Sequence, residues 1–128
     1  MLTGRIILES LRVGSELRIP GLVATWVSRQ DVSSSTASFQ PEVWTLLDFE
    51  APDDAYDALV EGLSGALAAD QGWYADFRAG DDHVVVYPGR VFRYRHGDPA
   101  GRDEAREYGR KEGIPAGQLD WEDTSPST

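Results

Sequence analysis

The alternation of apolar and polar positions divides the chain into short elements separated by turn-forming residues. "GLVATWVSRQ" (21–30) sets Leu22, Ala24 and Trp26 against Val23, Thr25 and Val27, and its β-branched content predicts a strand. "VWTLLDFEA" (43–51) predicts a second, with Val43, Thr45, Leu47 and Phe49 on one face and Trp44, Leu46 and Asp48 on the other. Apolar residues on both faces near its start point to a central strand covered on both sides. Between the two, "DVSSSTASFQPE" (31–42) is a polar, serine-rich connection, long for a compact domain. Phe39 is its only large apolar residue, and either pins the loop down or awaits a partner.

The period then changes. In "PDDAYDALVEGLSGALAAD" (52–70), Tyr56, Leu59, Val60, Leu63 and Leu67 recur at helical spacing and form one apolar stripe. Pro52 suits a first helical turn, and Asp53 and Asp54 sit where the helix dipole favours anions, which explains them without a ligand. Gly62 and Gly65 each cost a helix about 1 kcal/mol against alanine, and with Ala58, Ala66 and Ala69 they leave a surface open to close approach. Ser64, mid-helix, lacks the strand-to-helix turn of a serine nucleophile.

"WYADFRA", "HVVVY" and "RVFRYRH" predict a three-strand meander, turning at Gly80-Asp81-Asp82 and at Pro88-Gly89. "AGRDEAREYGRKEG" is a charged helix with Ala105 and Tyr108 as its inner edge and Gly113 beyond its end. Ile114, Leu119 and Trp121 anchor the following chain, and residues 123–128 read as a frayed tail. The first segment, "GRIILESLRVGSELRIPG", is ambiguous. Ile7, Leu8 and Leu11 share a helical face that Gly14 would end, so residues 4–12 are taken as a helix in the predicted order. That order is α+β: one domain over 1–122, with a mainly antiparallel sheet of about five strands and two or three helices packed on it. If the strands flanking the 52–70 helix share a sheet, their crossover should be right-handed.

Composition narrows the partners. A net charge of −10 on 128 residues and a pI near 4.5 repel phosphate backbones and anionic lipid. Nucleic acid and membrane are therefore disfavoured, and another protein, in particular a basic one, or a second copy as a homodimer is favoured. Cysteine is absent, which removes disulfides, thiolate metal sites and cysteine nucleophiles and agrees with a cytoplasmic location. The Ile6-Ile7-Leu8 run, broken by Glu9, is too short for a signal peptide or a membrane helix.

Candidate chemistry concentrates in "HVVVYPGRVFRYRHGD" (83–98). With Tyr87 opposite Arg90, His83 faces Tyr94, Asp82 faces Arg95 and Asp81 faces His96. That register gathers Asp81, Asp82, His83 and His96 at the open end of the hairpin, with Asp98 as a further candidate member. Either histidine would be an acid/base group, with Asp81 or Asp82 orienting it and Arg93 or Arg95 holding an anion. The same groups equally form ordinary cross-strand pairs. The spacing matches no metal-ligand motif, and no cofactor or metal is expected. Tyr74, Arg93 and Tyr94, with Arg95, are the candidate ligand-binding wall. "GRVFRYR" resembles the aromatic strand of RNA-recognition domains, but the second glycine and a companion aromatic strand are missing. The expected function is a non-catalytic protein-binding or self-associating module. The alternative is a small-molecule-binding protein or enzyme with its site at the open end of the 83–96 hairpin.

Overall fold

The computed structural model describes residues 1–121; the tail assigned to residues 123–128 lies outside them. Its strands are β1 (Leu2–Ile7), β2 (Val23–Asp31), β3 (Val43–Ala51), β4 (Ala75–Ala79), β5 (Asp82–Tyr87) and β6 (Arg90–Arg95). Its helices are α1 (Tyr56–Ala66) and α2 (Pro99–Lys111). The strands form one sheet in the order β2-β3-β1-β4-β5-β6, and every neighbouring pair is antiparallel. The architecture is α+β, with one strand more than the periodicity suggested.

The added strand is the first segment. Residues Leu2–Ile7 form β1 at the middle of the sheet, and of the expected helix only a 3-10 turn at Leu8–Ser10 remains. Leu2 and Ile6 are buried on the same face, two residues either side of Gly4, which is strand periodicity. β1 bonds to β3 along one edge and β4 along the other, so the sheet satisfies its backbone groups on both sides. β3 and β4 flank β1 and therefore run parallel to each other, joined by α1 in a split β-α-β unit.

The register sorts side chains cleanly onto two faces. On one, Leu2, Ile6, Phe49, Phe77, Val84 and Val86 pack against Leu59 and Leu63 of α1. The small surface at Gly62 is filled by this chain itself: a Cβ there would meet Leu17 at 2.7 Å and Ile19 at 3.2 Å. On the opposite face, Val85, Tyr87, Phe92 and Tyr94 pack against Ala105 of α2 and against Ile114, Leu119 and Trp121. α2 begins on Asp98, whose carboxylate accepts from the Ala100 N–H at 3.1 Å, with Pro99 in the first turn. Close seating of α2 needs Gly109, where a Cβ would lie 2.6 Å from Leu119 and 2.7 Å from the Tyr87 hydroxyl.

This second layer covers only the β4–β6 half of its face. Among the described residues, no helix lies on the other half, over β1 and β3. β3 is thus neither central nor covered on both sides at its start, where Val43 is 41% exposed. Among the described residues no helix is long and apolar enough to cross a membrane.

Candidate functional site

The uncovered half-face is the floor of a cleft of about 690 Å³. Alternation along three antiparallel strands decides what it presents. Arg5 of β1 stands between Asp48 of β3 and Asp76 of β4, all on this face. One step along the strands, Thr3 stands between Glu50 and Arg78. One step the other way, Ile7 lies beside Leu46, with Tyr74 at the neighbouring end of β4. The floor is therefore graded, from apolar (Leu46, Ile7, Tyr74, and Trp44 beyond) through a charged middle to a polar end.

The charged middle is tightly built. Arg5 donates to both carboxylate oxygens of Asp48, at 2.6 and 3.2 Å, and its guanidinium lies 5.0 Å from the Trp26 ring centre. The hydrogen bond to Asp48 raises the Arg5 pKa above its ordinary value against partial desolvation, and the Asp76 charge adds to the effect. Asp76 bonds to His83 on the next strand at 2.8 Å. In this contact the carboxylate is the acceptor and the imidazole Nε2 the donor. The His83 side chain is 4% exposed whereas that of Asp76 is 31% exposed, so the histidine holds the carboxylate from behind.

The walls come from two loops that bind one another. Gln40 and Gln118 exchange side-chain amide hydrogen bonds at 3.0 and 2.7 Å. Gln118 also donates to the Ser35 carbonyl at 2.8 Å, and Gln40 to the Gln71 carbonyl at 3.0 Å. Buried Gln40, not Phe39, pins the 31–42 connection; Phe39 is 48% exposed. The Tyr74 hydroxyl donates to the Gln118 carbonyl, and burial pushes its pKa well above the usual phenol value. Trp44 meets Trp73 edge-on at 5.3 Å and Tyr74 meets Trp121 at 5.2 Å, which stiffens the apolar end.

The residues singled out from sequence are distributed differently from the expectation. The assumed hairpin register is the one formed: Tyr87 opposes Arg90, His83 opposes Tyr94 and Asp82 opposes Arg95. His83 and His96 come together with parallel rings 6.3 Å apart, and the His96 N–H donates to the Asp81 carbonyl at 2.8 Å. The Asp82 carboxylate, however, projects to the α1 face with Val84 and Val86 and takes a hydrogen bond from Arg93 at 2.6 Å. The carboxylate on His83 is Asp76, from the preceding strand. Among the described residues, no group of three or more His, Cys, Asp or Glu is arranged to hold a metal ion.

The expected wall of Tyr74, Arg93 and Tyr94 does not assemble. Arg93 lies on the α1 face over the Tyr56 ring, 4.7 Å from its centre, and Arg95 shares that side of the strand. Tyr94 is buried beneath α2, with its hydroxyl accepting from the Trp121 indole at 2.7 Å. Phe92 is buried beside it, so neither ring of "GRVFRYR" is free to stack on a base. Only Tyr74 and His83 of the candidates line the cleft. Arg5, Asp48 and Asp76 carried no local signal, being brought together across three strands from distant parts of the chain. The strand period of Leu2 and Ile6 is the sequence signal that bears on them, because their meeting depends on β1 pairing with β3 and β4. Comparison with protein-family models, curated proteins and solved structures finds no match to this chain.

Proposed function

We propose that this protein binds a small organic ligand in the cleft over β1 and β3. The observation that carries this reading is the graded floor, apolar at one end and charged in the middle, inside a space of about 690 Å³. That volume falls within the range of roughly 300–1,000 Å³ typical of small-molecule sites, which combine apolar walls with a few positioned polar groups. The interlocked Gln40 and Gln118 and the paired aromatic rings hold those walls in place without a ligand. A fragment screen followed by two-dimensional NMR tests it. Bound fragments are expected to shift the Trp44 and Trp121 indole N–H signals and the amides of Arg5 and Asp76 together. Fragments that shift only the α1 face, or that leave the cleft signals still, reject the site.

A second reading, self-association, has its own support in the free edge of β2. Nine residues long, β2 exposes Val23 (60%), Trp26 (41%) and Val27 (57%) along an edge that no other described strand pairs with. Long apolar edges of this kind pair with other strands unless blunted, and the opposite edge, β6, carries Arg90, Arg93 and Arg95. Light scattering across a concentration series is expected to show a dimer that Val27→Lys abolishes. A monomer at every concentration ends this reading.

A further inference from the structure

We infer that the cleft selects an organic cation with an apolar body, its charged head resting on Asp76; this rests on the cleft being a ligand site. Four carboxylates line it, Asp48, Glu50, Asp76 and Asp120, against the two guanidiniums of Arg5 and Arg78. Even with His83 counted among the cations, the lining holds an excess of negative charge. The arrangement sharpens that excess. Arg5 is already committed to Asp48 through two hydrogen bonds, so an anionic ligand would have to displace a bidentate partner to use it.

Asp76 is engaged differently. It accepts a bond from His83, yet its side chain remains about one-third exposed toward the cleft and keeps acceptor capacity for a donor on the ligand. The alternation of β4 places Tyr74 two residues from it on the same face, and Ile7 and Leu46 continue that apolar side. A head on Asp76 therefore puts an attached apolar body on Tyr74 and toward Trp44. Rings beside a carboxylate suit an ammonium or guanidinium head, because the ring faces also attract positive charge. The net charge of −10 draws such a ligand inward over a longer range. Arg78, whose Nε is buried without a hydrogen-bond partner among the described residues, favours an anion, but it stands in the row of Glu50, beyond Thr3.

Three probes of one shape separate the possibilities: phenethylamine (cationic), phenethyl alcohol (neutral) and phenylacetate (anionic), each titrated into the full chain by NMR. Phenethylamine is expected to shift the Trp44 and Trp121 indole signals with an affinity roughly tenfold or more above that of the alcohol, the scale of one charged hydrogen bond. Phenylacetate is expected to bind most weakly. Asp76→Asn should remove the preference for the amine. Arg78→Gln, which breaks no hydrogen bond at Nε, should tighten the amine and keeps the test valid if Asp76→Asn fails to fold. Equal binding of all three probes, or tightest binding of phenylacetate, overturns the cation assignment and leaves the site standing. No shift at the cleft indoles with any probe overturns both.

Discussion

Replacing Gly4 with alanine is expected to destabilise the protein by about 3 kcal/mol or more, the upper end of the cost of overpacking a core. A Cβ at this position would lie 2.6 Å from the Phe77 Cβ, 2.8 Å from the Asp76 carbonyl oxygen and 3.0 Å from the Phe49 ring. Two of those atoms belong to the backbone of β4 or stand directly on it. They move only if the β1–β4 pairing opens. Gly4 lies opposite Phe49 on one neighbour and Phe77 on the other, so the two rings close over the space that the missing side chain leaves. The sign of the effect discriminates between structures. In a helix over residues 4–12 the same substitution stabilises, since alanine exceeds glycine there by about 1 kcal/mol. Urea unfolding of Gly4→Ala measures this directly, and a variant as stable as the parent, or more so, would remove β1 from the centre of the sheet.

Tyr87 carries the second large effect. Its ring is fully buried between the sheet and α2, 4.9 Å from Tyr108 and 5.9 Å from Phe92, and its hydroxyl donates to the Ala105 carbonyl at 2.7 Å. Tyr87→Ala is expected to cost about 3–5 kcal/mol as a cavity beneath α2, and Tyr87→Phe about 1–2 kcal/mol for the lost hydrogen bond. Burial raises the Tyr87 pKa far above that of a free phenol, with the neighbouring Tyr108 and Tyr94 adding to the shift. A folded-state pKa above the unfolded one means that the folded protein holds the proton more tightly. The stabilisation is complete below the unfolded value of about 10 and is lost as pH rises from there toward the folded value. Stability should therefore fall steeply on the alkaline side. Tyr87→Phe should flatten that fall without abolishing it, because Tyr74 is raised by burial in the same way. Denaturant midpoints at neutral and alkaline pH test this, and an unchanged alkaline slope in Tyr87→Phe would assign the effect elsewhere.

Both residues show what local pattern can and cannot decide. The meander was legible because each strand is short, β-rich and bounded by a turn signal; its register, with Tyr87 opposite Arg90, was an assumption that the folded hairpin adopts. α1 was legible because Leu59 and Leu63 repeat at helical spacing and are buried where that spacing places them. At the first segment the same reasoning failed. Ile7, Leu8 and Leu11 satisfy a helical period, while Leu2 and Ile6 satisfy a strand period, and short apolar runs do not separate the two. Pairing with β3 and β4 made the choice, through partners as far along the chain as Leu46 and Ala79.

The cleft was illegible for a related reason. Arg93 and Tyr94 are neighbours in sequence, but a strand turns successive side chains to opposite faces, and Arg93 lies on the α1 side. Asp76, which His83 meets, sits in an apolar-polar alternation that marks a half-buried strand and nothing more. By itself the sequence determined the acidic charge, the α+β class, the three-strand meander and α1, since each follows from composition or from contacts between near neighbours. Only the tertiary structure decided that residues 2–7 are the central strand, that α2 covers one half of its face, and that Asp48, Arg5, Asp76 and His83 meet on or beside the other half. Those outcomes depend on long-range strand pairing, whose energy is shared among partners that no local window contains.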